Sequence, residues 1–320
     1  MIDSKSGRLR IAAIGAGWHS RASHLPALRR CVAKSGGAFT LAAVCDVDEE
    51  RAAGAAAEFG FEEAFADIGE MLDEALPDAV VAVTPLALNA PCGLDLIERG
   101  IPALVEKPPG ATVEEARRLA RAAAEAETPV MVSMNRRFDP SLTAGVSWMQ
   151  DRAVHYVRGT MLRPNRTNPE FMTGTGIHAV DAVRALGGDV AASDCRTMDV
   201  NGVTWYCISL EFKGGARGTL EIIPTAGVAE ERYELFADRR RVLIRTGMKD
   251  RGDLTCWDDG ELVLHADPAE GEPFFVRDGT YAETREFLDA VRQRGRPCPT
   301  PQDVLQSVEL CHEWREQSAR

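Results

Sequence analysis

Five short apolar runs, at residues 10–14, 40–45, 79–83, 103–105 and 130–134, alternate with stretches that carry apolar residues at helical spacing, at 23–34, 49–59, 91–99 and 112–126. Thr112 followed by Glu115 makes a capping box, which sets the start of the last of these helices. Strict alternation of strand and helix with short connections predicts a parallel, doubly wound sheet. After Asn135 the texture changes. Apolar and polar residues now alternate, as at 203–212 and 218–223, with turn signals at Lys213-Gly214-Gly215 and Asp258-Asp259-Gly260. That pattern predicts a mostly antiparallel, open sheet with one covered face. Helices are expected at about 176–186, closed by Gly187-Gly188, and at about 281–294 and 301–318. The predicted fold class is α/β: a dinucleotide-binding domain over 1–135 and a substrate and oligomerisation domain over 136–320.

Length and charge narrow the partners. At 320 residues the chain exceeds one ordinary core. Its 37 basic and 49 acidic residues leave a net charge of −12, which disfavours nucleic acid and membrane surfaces and leaves a small-molecule substrate. No apolar run approaches the length of a membrane span, and residues 4–10 are too polar for a signal peptide, so a cytoplasmic protein is expected. The eight cysteines show no C-x-x-C, and none of the six histidines has a partner at i, i+4. No metal is expected on those spacings.

Candidate chemistry gathers at strand ends. The run 101–105 is stopped by Pro108 and Pro109, which puts Lys107 just past the carboxyl edge of a strand, where open α/β sheets bind ligands. Alone, such a lysine is as readily a surface charge. Gly15-Ala16-Gly17-Trp18-His19-Ser20 follows the first strand and opens a helix, an imperfect G-x-G-x-x-G with serine in the third place. Gly15 would allow the tight turn and Gly17 a close approach of backbone to a pyrophosphate at the helix N-terminus; a purely structural turn is the alternative. Asp46 ends the second strand, where a carboxylate accepts from ribose hydroxyls and repels a 2′-phosphate. That favours NAD, with NADP possible because Arg51 is near. Asp46 is otherwise a loop carboxylate or a helix cap.

The order and spacing of several motifs resemble the glucose-fructose oxidoreductase / inositol dehydrogenase / MocA-like family over nearly the whole chain. They are Gly15-Ala16-Gly17, Val83-Thr84-Pro85, Glu106-Lys107-Pro108, Asn135-Arg136-Arg137-Phe138-Asp139-Pro140 and Gly176-Ile177-His178-Ala179-Val180-Asp181. The resemblance implies a Rossmann domain, a C-terminal domain whose sheet often joins a homodimer or homotetramer, and nicotinamide-dependent redox chemistry on a sugar or polyol. It implies that Lys107 and His178 face the reactive carbon. Asp181, three residues on along the same helix face, would either hydrogen-bond that imidazole or stand as a solvent-facing charge. Gly15, Ala16, Gly17, Trp18, His19, Asp46, Thr84, Pro85, Glu106 and Lys107 would hold the cofactor. Asn89, Arg137, Arg163, Thr175 and His178 would face the substrate. The chain departs from the family's D-x-G-x-H-x-x-D pattern at its first position, which is Gly174. A relay carboxylate is thereby lost, which leaves open an enzyme that recycles a tightly held NAD, of glycosidase or epimerase type, or a non-catalytic NAD-binding protein. Asn89 also stands where the family often has histidine.

Overall fold

The structure is a computed structural model that describes residues 7–247 and 252–317; residues 4–6 of the expected leaderless start and Ser318 of the expected last helix lie outside them. The chain forms two compact units. One takes residues up to Ser133 together with Thr280–Leu305, the other Met134–Gly279 together with the chain from Gln306 onward. The stretch 280–305, expected with the second domain, therefore belongs to the first.

The first unit runs β1 (Leu9–Ile14), a π-turn (Ser20–His24) continuing into α1 (Leu25–Lys34), β2 (Phe39–Cys45), α2 (Glu49–Phe59), β3 (Glu63–Phe65), α3 (Ile68–Glu74), β4 (Ala79–Ala82), α4 (Leu86–Glu98), β5 (Ala103–Val105), α5 (Val113–Ala126) and β6 (Val130–Val132). All pairings are parallel, in the order β3-β2-β1-β4-β5-β6. Successive strands run outward from the centre in both directions, so the order reverses between β1 and β4 and a crevice opens there. β4, β5 and β6 are buried along their length and β1 over its last four residues, as a sheet covered on both faces requires. The capping box at Thr112 and Glu115 is present. β3 and α3 fall outside the expected elements: β3 is a three-residue edge strand with two exposed positions, too short to show a period. α4 begins at Leu86, five residues before the expected start, because Pro91 is carried inside it. One missing N–H is offset by the burial of Ala90, Leu96 and Ile97 on the same helix.

The second unit opens with a 3₁₀ turn at Asn135–Phe138 and α6 (Pro140–Met149). Asp139 caps α6 through the Ser141 and Leu142 N–H groups and also accepts from Gly247 N at 2.7 Å. Then come β7 (Tyr156–Leu162), a π-turn (Met172–Gly176) leading into α7 (Ile177–Gly187), and seven strands: β8 (Val190–Val200), β9 (Val203–Phe212), β10 (Arg217–Ile223), β11 (Glu230–Ala237), β12 (Arg240–Arg245), β13 (Asp253–Asp258) and β14 (Glu261–Ala266), followed by α8 (Phe274–Arg277). The sheet order is β14-β13-β12-β11-β7-β10-β9-β8, with only β7 and β10 parallel. Side chains alternate along β9, buried at Tyr206, Ile208, Leu210 and Phe212 and exposed at Cys207, Ser209 and Glu211. α7 lies against β7 so closely that a Cβ on Gly159 would stand 2.6 Å from Val183 Cγ1.

α9 (Thr280–Gln293) returns to the first unit because it packs on α1, where Arg30 and Lys34 lie over the Tyr281 ring at 5.0 and 5.7 Å. Its buried Glu283 accepts from Ser133 Oγ at 2.9 Å. α10 (Pro301–Gln317) closes the described chain, its first turn in the first unit and the rest in the second. No helix among the described residues is long and apolar enough to cross a membrane.

Candidate functional site

The crevice predicted by strand order is a cavity of about 480 Å³, lined at one end by Asp46, Val47 and Arg51 and at the other by His19, Pro85 and Glu106. Gly15 turns the chain out of β1 at φ +92°, donates to Cys45 O at 2.7 Å, and passes so near β4 that a Cβ would overlap the Val83 carbonyl oxygen. Only glycine meets both conditions without strain. Gly17 has open space where a Cβ would stand and lines the cavity, leaving the backbone bare at the start of the π-turn and α1. That helix start presents N–H groups and a positive dipole end to the cavity. A pyrophosphate fits such a cradle. Gly15→Ala is expected to lower the melting temperature and abolish NAD binding in a fluorescence titration; wild-type affinity would show that the loop tolerates a shift.

Asp46 is nine-tenths buried. One oxygen accepts from Ala16 N at 2.8 Å, while the other accepts from Asp48 N at 3.0 Å and from the Arg51 guanidinium at 2.8 and 3.2 Å. Burial alone would raise its pKa, and these N–H donors and the Arg51 charge outweigh that, so the carboxyl titrates below its usual range. Asp46 thus pins the glycine loop. The oxygen on Ala16 keeps acceptor capacity for a hydroxyl. Ala16 is buried, whereas Trp18 stands 83% exposed beside the cavity.

At the far end, β5 delivers Glu106 and Lys107 to the sheet edge. Glu106 accepts from its neighbour's backbone at Lys107 N, from His19 Nε2 at 3.0 Å, and lies 3.5 Å from His24 Nε2. Burial would raise its pKa, but the two imidazoles and the Lys107 charge hold it well below the usual carboxylate range. Lys107 is half-buried. Asn89, expected to face substrate, is instead buried in α4, where it accepts from Thr84 Oγ1 at 2.7 Å and donates to Pro108 O at 2.9 Å. It ties the β4 and β5 edges together, and Pro85 caps the start of α4 between them.

The second unit places the remaining residues around α7. His178 sits half-buried on its first turn. Asp181, expected to orient that imidazole, gives its two oxygens to Arg137 at 2.7 Å each and accepts from Ser307 Oγ at 3.0 Å. Arg137 is therefore held by a bidentate ion pair. Arg163, expected on a substrate-facing loop, is buried and bound to Glu231 and to Leu162 O, so its guanidinium is spent inside the sheet. Thr175 lies in the π-turn before α7 and accepts from Arg166 at 3.4 Å. Around Gly174 there is open space where a Cβ would stand, so a side chain there meets no obstacle.

Two partnerships were missed from sequence. His24 enters the Glu106 cluster because the π-turn brings positions five apart onto one face, whereas an α-helix brings together positions four apart. The imidazole nitrogens of His19 and His24 and a Glu106 oxygen lie within 4.8 Å of one another. Arg51 pairs with Asp46 directly, a contact signalled in sequence only by nearness.

Comparison with known proteins bears on this geometry. The family model described as "Oxidoreductase family, NAD-binding Rossmann fold" matches residues 9–134. Inositol 2-dehydrogenase 2 of Saccharopolyspora erythraea is 32% identical over 235 residues, 68% of either chain. D-apiose dehydrogenase of Paraburkholderia graminis is 31% identical over 215 residues, 61% of this chain and 54% of that one. In fold, the chain resembles a dehydrogenase from Chromobacterium violaceum with a TM-score of 0.89 at 20% identity, covering 98% of this chain and 96% of the other. With a parallel sheet crossed by a glycine loop, a strand-end acidic residue and a Glu-Lys-Pro edge already in place, these matches lead to one conclusion: the chain belongs to the glucose-fructose oxidoreductase / inositol dehydrogenase / MocA-like family of NAD-binding oxidoreductases.

Proposed function

We propose that the protein oxidises a hydroxyl of a sugar, cyclic polyol or related small molecule, or reduces the matching carbonyl, with NAD as cofactor. The observation that carries this reading is the place of Lys107, just past β5 and next in the chain to Glu106, which lines the cavity together with Gly15, Gly17 and Asp46. The relatives named as inositol and apiose dehydrogenases support the substrate class.

NAD, when bound, accepts or returns the hydride. Gly15 and Ala16 shape the loop, their N–H groups being given to Cys45 O and Asp46, and the helix start from Gly17 onward would take its pyrophosphate, with Trp18, His19, Thr84 and Pro85 along the wall and Asp46 on the ribose. Lys107 Nζ donates to the substrate oxygen and stabilises the charge that grows there as the proton leaves. His178 takes that proton in oxidation and returns it in reduction, a role suited to an imidazole near neutral pH. Asp181 positions Arg137, and Arg137 and Thr175 contact substrate hydroxyls. The exposed face of the eight-stranded sheet, opposite α6 and α7, carries Phe236, Arg241 and Trp257 with Arg241 over both rings, and we assign it to a homodimer or homotetramer. A cytoplasmic location goes with this proposal.

Nicotinamide absorbance with NAD and NADP, in both directions, against sugars, inositols and simple carbonyl compounds tests the reading; turnover on none of them, with NADH still bound, would overturn it. Gly174 favours a second reading, an enzyme that recycles a tightly held NAD or a non-catalytic binder. Nicotinamide that stays with the protein through gel filtration would support that instead. For the cofactor, Asp46→Ala is expected to weaken NAD by roughly tenfold or more, since a hydrogen bond to a charged group is lost, and NADP by less. Unchanged dissociation constants for both would remove Asp46 from the ribose site.

A further inference from the structure

We propose that His19, His24 and Glu106 form a binding site for one divalent transition-metal ion of the zinc, cobalt and nickel class, in the wall of the cofactor cavity. The three ligand atoms already converge. Nε2 of His19 lies 3.0 Å and Nε2 of His24 3.5 Å from the same Glu106 oxygen, and all the candidate ligand atoms fall within 4.8 Å. Tetrahedral ligands at about 2.1 Å from zinc are about 3.4 Å apart, and both histidine–carboxylate distances lie within half an ångström of that.

The local fold explains why the histidines meet. On an α-helix, residues five apart diverge, but the π-turn at Ser20–His24 inserts an extra residue and sets the two rings edge to face, with centroids 5.3 Å apart. Such turns are a recurrent feature of functional sites. Two of the three ligands are rigidly placed, since His24 and Glu106 are buried at 1% and 6% exposure. Nδ1 of His24 is buried with no hydrogen-bond partner among the described residues, so nothing on that side fixes the tautomer and Nε2 is able to offer its lone pair. His19 and Glu106 line the cavity, which gives the ion an entry path and leaves a fourth position for water. Two imidazoles and a carboxylate suit zinc, cobalt or nickel rather than magnesium or calcium, which take oxygen ligands.

Untagged, full-length protein is to be titrated with Zn²⁺ by calorimetry and with Co²⁺ by visible absorption. One ion per chain is expected, with the intense visible bands of a tetrahedral cobalt site. The exposed His19 is the safest ligand to remove, and His19→Ala is expected to weaken binding at least tenfold. Glu106→Gln, checked for native circular dichroism, is expected to do the same because the amide carries no charge. Lack of saturable binding by the wild-type protein, or wild-type affinity in folded His19→Ala, would overturn the site.

Discussion

Replacing Lys107 with alanine is expected to lower kcat/KM by roughly 10²- to 10⁴-fold while NAD affinity changes by no more than a few-fold, the range by which a positioned acid or base accelerates proton transfer. The separation of the two effects follows from the site. The groups assigned to hold the cofactor, Gly15, Gly17 and Asp46, stand just past β1 and just past β2, whereas Lys107 follows β5 and carries no part of the glycine loop. A buried lysine with a structural role would behave differently, because its loss would lower stability and cofactor binding together. Steady-state kinetics beside NADH fluorescence titration and a melting curve separate these cases. If turnover persists within tenfold of wild type, the chemistry lies elsewhere.

The second large effect is on stability. Glu231 is fully buried in β11, bound to Arg136 at 2.6 and 3.1 Å and also to Arg163. Glu231→Gln leaves two buried guanidinium groups without their counter-charge, and removing one member of a buried ion pair costs about 3–5 kcal/mol. A fall in melting temperature on the order of 10 °C is expected for the second unit. Burial would raise the Glu231 pKa, but the Arg136 and Arg163 charges and hydrogen bonds bring it down from 4.5 to about 2. Because the folded value lies below the unfolded one, the contribution is fully present above pH 4.5 and is lost as pH falls from 4.5 toward 2. It amounts to roughly 3 kcal/mol. The wild-type protein should therefore lose stability through that window more steeply than Glu231→Gln, as urea midpoints at several pH values would show. Parallel curves would remove the triad from the acid response.

Arg163 and Asn89 show why such contacts escape a reading of the sequence. Arg163 directly follows β7 and Asn89 stands in the first turn of α4, and each was expected to face substrate. In the structure both are consumed by partners, Glu231 at 68 residues' separation and Pro108 at 19. Burial decides between the two outcomes, and burial is a property of the closed chain. Asp181 behaves likewise. Its neighbour on the helix is His178, but its bidentate partner is Arg137, 44 residues away. The histidine cluster is hidden for a more local reason: a π-turn carries no distinct hydrophobic period, so nothing in the sequence marks residues five apart as neighbours.

What the sequence determined by itself was everything that rests on local period and punctuation. Apolar runs separated by helical stretches dictate parallel strands covered on both faces, Thr112 and Glu115 dictate a helix start, and Pro108 dictates that β5 stops short and leaves Lys107 just past its end. Gly15 is equally local, since a positive φ at the end of β1 calls for glycine. The tertiary structure alone decided which side chains are spent and which remain for ligands. It brought α9 back onto α1, joined Asp46 to Ala16 N, and set Glu106 against His19 across 87 residues of chain. Hydrogen-bonding within a helix or turn depends on neighbours a few residues apart, and periodicity encodes it. Pairing between distant charges depends on how strands are ordered in the sheet, and no short window of sequence carries that.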